Sequence, residues 1–399
     1  GGAAAAAAAG GAAVSPAGAV RVDELVQIGP YRLGKKLGEG AFAAVRRAKH
    51  IISGVEVAVK IFVRAALKDD YVRENLYREA EIMKKLHHPS LIRLFEILET
   101  DDLYCLVMEV CERDVLTHLC SVGVSSEVQA RNYGRQLISA FEYLHSKHIV
   151  HRDLKPENMM IDGGSSLKII DFGLSNDMTG KEALQTQCGS MAYSAPELLS
   201  SKPYGKEVDV WSIGVCLYVM LTGHLPFGNE NLTELHALML DGSYELPDIM
   251  SDSLKDLFTR FFQVRPKNRI SMEELWEHEW IAGAVDGDRM SPLPPRDTQV
   301  TAATINGELV AQMVNMGFES KASVVASVVD NKCDRACATY HLLELRIKQM
   351  QLKASKRRAS RSLSRSGSSN SLRRRSGSTG SSAGMLRRTS SGKLQPLGR

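Results

Sequence analysis

Apolar and polar positions alternate from Tyr31 to Val63, through YRLGKKLGEGAFAAVRRAKH and VEVAVKIFV, with a glycine turn in between. A period of two predicts strands with one buried face, so a small strand-rich lobe is expected here. The period then changes, and YVRENLYREAEIMKKL reads as an amphipathic helix. A strand around Met108, in VMEV, is followed by long helical patterns as far as MEELWEHEWI. Strands first and helices afterwards predict an α+β chain whose second lobe is larger and helical.

One segment breaks this pattern sharply. In NYGRQLISAFEYLHSKHIV, Leu137, Phe141 and Leu144 recur at helical spacing, and the charged stretch HRDLKPENMM, His151 to Met160, follows at once. Pro156 lacks an N–H and pushes Lys155 out of helical geometry, so the stretch is a loop that a buried helix delivers to a fixed place. The longest apolar run, WSIGVCLYVMLTG, is shorter than the roughly 20 residues that cross a bilayer and predicts a core helix.

After SPLPP, Ser291 to Pro295, three short helical patterns separated at Gly317 and Asp330 predict a compact bundle. The expected boundaries are a low-complexity, disordered 1–30, a first domain over 31–281, a linker over 282–303, a bundle over 304–347 and a disordered tail over 348–399. The opening GGAAAAAAAGGAAV has no basic start of the kind signal peptides carry, and without an initiator Met the chain is expected to begin inside a longer product.

Charge sharpens the last boundary. The net charge is +4, yet from Lys348 onward there are 14 Lys and Arg and no Asp or Glu, which leaves 36 basic and 46 acidic residues before it, a net of −10. A Ser, Gly and Arg-rich tail buries too little apolar surface to offset chain entropy. Its runs KASKRRASRSLSRS, SLRRRSGS and LRRTSSG set arginines before Ser360, Ser364, Ser376, Thr389 and Ser390. That spacing suits basophilic kinases and, once phosphorylated, phosphopeptide adaptors; unmodified, the tail is expected to attract anionic lipid, and no specific nucleic acid is implied. Seven cysteines without C-x-x-C spacing read as reduced thiols in a cytoplasmic or nuclear setting. Cys333 and Cys337 are four apart, as on one helical face, and packing is the preferred reading over metal binding.

Several residues carry chemistry for phosphate. In GEGAFAAV, Gly38 and Gly40 let backbone N–H groups approach a ligand, although alone the segment fits an ordinary hairpin as well. Lys60, ending the apolar run VAVK, needs an anion if buried, and Glu79 on the next helix offers one; a surface lysine is the alternative. Asp171 in LKIIDFG and Asn158 of the charged loop supply a carboxylate and an amide oxygen, a donor pair that suits Mg²⁺ once phosphate oxygens join it.

Taken in order, the glycine loop, VAVK, the helix glutamate, HRDLKPEN, DFG and APE resemble the motifs of eukaryotic protein kinases over Tyr31 to about Ile281. DFGLSN, TQCGSMAYSAPELL, DVWSIGV and LTGHLPF are similar to the AMP-activated-kinase-related branch of the calmodulin-kinase group. The resemblance implies a bilobal kinase fold, ATP and Mg²⁺ as cofactors, protein substrates phosphorylated on Ser or Thr, and an upstream activating kinase.

It also implies roles. Asp153 orients or accepts the substrate hydroxyl proton, Lys155 meets the transferring phosphate, Asn158 and Asp171 hold Mg²⁺, and Lys60 fixed by Glu79 holds the α and β phosphates. Leu37, Gly38, Glu39, Gly40, Val45 and Ala58 cover the nucleotide, Met160 lies beneath it, Met108 stands behind, and Glu109 and Cys111 offer backbone hydrogen bonds. Thr186 is the activation-loop phosphosite, with Arg152 pairing its phosphate; Asp209, Glu197 and Arg269 are structural anchors. Val115 stands near where many relatives carry an acidic residue for basic substrates, leaving Glu112 or Asp114 as substitutes. MGF, Met316 to Phe318, is similar to a ubiquitin-associated domain, so the bundle reads either as a ubiquitin binder or as a regulatory element packing on the kinase lobes. The alternative for the whole chain is a weak or inactive kinase-fold scaffold acting through bundle and tail; intact Lys60, Asp153, Asn158 and Asp171 argue against it.

Overall fold

The computed structural model describes residues 21–40, 42–67, 69–162, 166–178, 190–200, 203–228, 231–283, 300–366, 386–388 and 394–396. In chain order come β1 (Gln27–Ile28), β2 (Tyr31–Glu39), β3 (Ala43–His50), β4 (Glu56–Val63), α1 (Asp70–Lys84), β5 (Leu94–Glu99) and β6 (Leu103–Met108). Next are β7 (Arg113–Asp114), α2 (Val115–Val122), α3 (Glu127–Ser146), β8 (Ile149–Val150), β9 (Met159–Asp162), β10 (Ser166–Ile169) and β11 (Asn176–Asp177). The helices α4 (Pro196–Leu199), α5 (Glu207–Thr222), α6 (Leu232–Asp241), α7 (Asp252–Phe261), α8 (Met272–Glu277) and α9 (Glu279–Ala282) follow, and α10 (Gly307–Asn315), α11 (Lys321–Val329) and α12 (Arg335–Ser366) come after them. The chain forms two compact units.

The first unit joins an antiparallel sheet, ordered β1-β2-β3-β4-β6-β5, to the three helices α10 to α12. Alternation along β4 divides the sheet's faces. Val57, Val59 and Ile61, with Cys105 and Val107 of β6, point to one side and pack on Ala338 and Leu342 of α12, while Ala58 and Lys60 point to the other. Ile97 N of the edge strand β5 donates to Cys333 O at 2.9 Å, so the chain entering α12 meets an edge that would otherwise present unpaired backbone groups. On its opposite side α12 places Tyr340 and Leu343 against Leu309, Met313, Val324 and Val328, which makes a separate bundle core.

Two sequence boundaries shift, and one helical reading changes. Residues 21–30 are ordered, because Leu25 and Ile28 bury in the sheet core and β1 pairs with β2 through Gln27↔Arg32 and Ile28↔Tyr31; residues 1–20 lie outside the described residues. Helix α12 continues to Ser366, past the expected start of the disordered tail at Lys348. Packing of its first turns bears the nucleation cost, and each added Leu, Lys, Arg or Gln gains a hydrogen bond at little propensity cost. Cys333 and Cys337 do not share a helix: Cys333 sits before α12 at φ 50°, and both are buried and in no disulfide. No cluster that could hold a metal occurs among the described residues.

A buried carboxylate lies where sheet and bundle meet. Glu96 is 3% exposed and accepts from Tyr31 Oη at 2.5 Å, and burial raises its pKa from 4.5 to about 7, with Asp334 raising it further against the opposing pull of Tyr31 and Arg335. A carboxyl whose folded pKa is raised stabilises the fold at low pH and loses that contribution as pH climbs from about 4.5 through 7. Gln mimics the protonated form at every pH. The stability of Glu96→Gln relative to wild type should therefore rise across that window by up to about 3 kcal/mol, read from urea midpoints at pH 5 and pH 8; a difference that does not change with pH would refute the assignment.

The second unit is built on α5, which is buried all round from Val208 to Met220 and ends at Gly223, φ 80°. Trp211 stacks on Phe227 at 5.4 Å, and Gly134 of α3 approaches Leu217 closely. No helix among the described residues is long and apolar enough to cross a membrane. A Cβ at Gly214 would lie 2.8 Å from the fully buried Phe261. Gly→Ala inside a helix ordinarily gains up to about 1 kcal/mol, whereas overpacking a tight core costs about 1–3 kcal/mol. Overpacking should prevail, so Gly214→Ala is expected to lower the thermal midpoint rather than raise it.

Candidate active site

The charged loop is held by its neighbours. Ser126 caps α3 by accepting from Gln129 N, and the helix ends in a turn where His148 takes φ 61° before β8. Asp209, at 0% exposure on α5, then fixes the loop from below: it accepts from His151 N at 3.0 Å, Arg152 N at 2.9 Å and His145 Nε2 at 2.8 Å. His151 is packed between Phe141 and Phe172, at ring distances of 5.8 and 5.3 Å. Pro156 opens a short 3-10 turn, Pro156–Asn158, where its missing N–H costs nothing. Arg152 takes a left-handed φ of 69°, a strained value for a non-glycine residue, held by these bonds.

Four groups converge at the loop's end. Asp153 Oδ2 accepts from Lys155 Nζ at 2.7 Å and Asn158 Nδ2 at 3.1 Å, and Oδ1 accepts from Ser190 N at 2.9 Å. Lys155 Nζ also donates to Ser190 Oγ at 2.9 Å. Asn158 Nδ2 bonds Asp153 O as well, so the amide NH₂ is committed and its Oδ1 remains to accept from a donor or meet a cation. Asp171, exposed and at φ 66°, accepts from Gly173 N at 3.3 Å. A Cβ on Gly173 would lie 3.3 Å from Asp171 Oδ1 and 3.8 Å from Glu79 Oε2, so the DFG glycine leaves room beside two carboxylates. Glu79 itself is 5% exposed.

In the first unit Val45, Ala58, Lys60 and Met108 share the sheet face turned away from the bundle. Val45 pairs with Lys60 and Ala58 with Met108 across neighbouring strands. The Lys60 ammonium lies 5.5 Å from the Phe62 ring. Gly40 N donates to Ala43 O at 2.8 Å and closes the β2–β3 turn, and a Cβ on Gly38 would meet nothing within 4 Å, so the backbone there is open to a ligand. Leu37 is 40% exposed, Glu39 is exposed, and Glu109 follows β6. Cys111 and Met160, both half-buried, belong to the second unit, with Met160 in β9 opposite Lys168.

Two further residues act here without having been singled out in the sequence. Ser190 bonds both Asp153 and Lys155, and Tyr204 Oη accepts from Arg152 Nη1 at 2.9 Å. Ser190 was legible only as part of TQCGSMAYSAPE; a lone Tyr204 carried no signal. Arg152 Nε also donates to Leu174 O at 2.6 Å, which leaves Nη2 as its uncommitted end in these contacts. Asp114, a candidate for recognising basic substrates, instead caps α2, accepting from Thr117 N and Oγ1 at 2.7 Å each, and Glu112 is exposed. Glu197 and Arg269 form a buried bidentate pair at 2.8 and 3.1 Å. Thr186 lies outside the described residues.

The donor set fits a nucleotide with Mg²⁺ better than a metal held by protein alone. One carboxylate and one amide oxygen leave most of a hard cation's coordination to phosphate oxygens and water, which is how Mg²⁺ is commonly bound. Within the second unit, a carboxylate with an ammonium beside it and two oxygen donors suited to a hard cation are the kinds of group that phosphoryl transfer uses. The protein kinase domain family matches residues 31–281, and the chain belongs to it. It is similar to the SNF1-related protein kinase catalytic subunit alpha KIN12 of Arabidopsis thaliana, 40% identical over 323 residues, which is 80% of this chain and 65% of the relative's length.

Proposed function

We propose that the chain is a Ser/Thr protein kinase of the AMP-activated-kinase-related branch, transferring the γ-phosphate of ATP to protein hydroxyls with Mg²⁺. The observation that carries this reading is the grouping of Asp153, Lys155, Asn158 and Ser190 around one carboxylate. Asp153 takes or orients the hydroxyl proton, Lys155 neutralises charge on the transferring group, and Asn158 with Asp171 would hold Mg²⁺, which would supply charge stabilisation at the phosphates. The printed name of the Arabidopsis relative supports the branch. Within it, KLGEGAFAAVR, ILETDDLYCLVMEVC and RQLISAFEYLH are similar to segments of the hormonally upregulated Neu-associated kinase, beside which we place this chain. The bundle's burial of Ala338 and Leu342 on the sheet supports a regulatory element rather than a free ubiquitin binder. Cysteine usage supports a cytoplasmic or nuclear setting.

Transfer of radiolabel from ATP to a Ser/Thr peptide library, with and without Mg²⁺, tests the reading. Mg²⁺-dependent labelling of serine or threonine is expected; no turnover by protein carrying phosphate on Thr186 would overturn it in favour of a scaffold. Thr186 is the proposed switch, since Arg152 adjoins the acid and a charge-assisted bond to a phosphate would tie loop order to its position. Thr186→Ala, expressed beside an active upstream kinase, should lose at least about tenfold in rate, the equivalent of about 1.4 kcal/mol of transition-state stabilisation. A rate equal to wild type would remove Thr186 from this role.

A further inference from the structure

Outside the active site, the first unit holds a basic cavity of about 310 Å³ between the β3–β4 turn and α12. Lys49 and Ser53 line it from the turn, and Arg346, Gln349, Met350 and Lys353 from the helix. The helical residues fall at i, i+3, i+4 and i+7, one face of α12. Among the described residues no carboxylate lines the cavity. Glu56, which faces Lys49 across the strand pair, is drawn to Arg47 at 2.5 Å instead. The two walls are tied together, because Arg346 Nη1 donates to Ser53 O at 3.0 Å. Three cations thus surround a polar concavity whose geometry is set by the docking of the bundle on the sheet.

The surroundings distinguish one anion source. Met350 is 58% exposed on this face, Ile347 is 37% exposed beside it, and Ile51 of the same turn is 52% exposed. Exposed aliphatic side chains around a basic cavity suit a surface that is charged at the headgroup and apolar just beneath it. The tail that continues from α12 adds only positive charge. We propose that this cavity binds the phosphorylated headgroup of an anionic lipid, with Met350, Ile347 and Ile51 entering the acyl boundary. Lys49, Arg346 and Lys353 contact the phosphates. Because the ligand touches both the turn and α12, it also strengthens the seat of the bundle on the sheet.

Cosedimentation of the full chain with phosphatidylcholine vesicles, with and without a phosphoinositide, tests the site, and titration with inositol 1,4,5-trisphosphate or inorganic phosphate separates lipid from soluble anion. The double variant Lys49→Glu/Lys353→Glu should weaken binding to phosphoinositide vesicles by at least about tenfold, since each basic group near an anionic surface contributes several-fold. Arg373→Glu/Arg374→Glu makes the same change in net charge within the tail and should lose clearly less. Met350→Ser should weaken vesicle binding and leave inositol trisphosphate binding unchanged. Thermal midpoints confirm that each variant is folded. Equal losses in the two charge variants would mean attraction by net charge alone and would overturn the site. Binding of inositol trisphosphate without vesicle binding, or vesicle binding indifferent to Met350→Ser, would overturn the lipid assignment.

Discussion

Asp153→Asn should lower kcat by about 10²- to 10⁴-fold, the range typical of a lost general base, with a much smaller change in the KM for ATP. The substitution keeps the side chain's shape but removes its capacity to take a proton. Its surroundings are specific about what else changes. Asp153 Oδ1 accepts from Ser190 N and Oδ2 from Lys155 and Asn158, so every partner in these bonds is a donor. An amide can satisfy only one side of such a cradle, and its NH₂ must face either the Ser190 N–H or the Lys155 ammonium. A modest loss of stability should accompany the rate loss, and a thermal midpoint read beside the steady-state kinetics separates the two. Lys60→Met, in the first unit, provides an independent check, with strong suppression of rate and no disturbance of the Asp153 cradle. Full activity in both variants would remove these residues from the roles given to them.

Arg269→Ala should destabilise the second unit by about 3–5 kcal/mol, the penalty for stranding one partner of a buried ion pair. Arg269 is 5% exposed and Glu197 7%. Besides its two bonds to Glu197, the guanidinium donates to Glu207 O at 2.7 Å and to Gln263 O at 3.0 and 3.2 Å, and lies 5.1 Å from the Trp211 ring. Alanine would leave a carboxylate, two carbonyls and an aromatic face without their partner. Lysine should recover little, because one ammonium cannot reproduce a planar fork that meets a carboxylate and two carbonyls at once. The double substitution Arg269→Met/Glu197→Leu is expected to be far milder than either charge left alone, since the larger cost is the unpaired charge. Urea midpoints of the three variants check this, and an Arg269→Ala midpoint within error of wild type would refute it.

The sequence carried much of the chemistry. Loop motifs such as HRDLKPEN are legible because proline, charge and spacing prescribe local conformation, and Leu137, Phe141 and Leu144 identified the helix that delivers the loop through periodicity alone. The alternation along Glu56–Val63 likewise determined that Lys60 and Ala58 share one face of a strand while Val57, Val59 and Ile61 share the other.

Partnership across long chain separations was decided only by tertiary structure. Asp209 stands 58 residues beyond His151, and nothing local at either position says that one carboxylate will hold both His151 N and Arg152 N. Asp114 looked available for substrate until folding made it the cap of α2. The bundle's place on the sheet, which buries Glu96 and forms the basic cavity against Arg346, depends on which of two apolar faces of α12 meets which core. Periodicity records that a residue will be buried, because it follows from the repeat of a single element. It cannot record against what, because that depends on the packing of elements far apart in the chain.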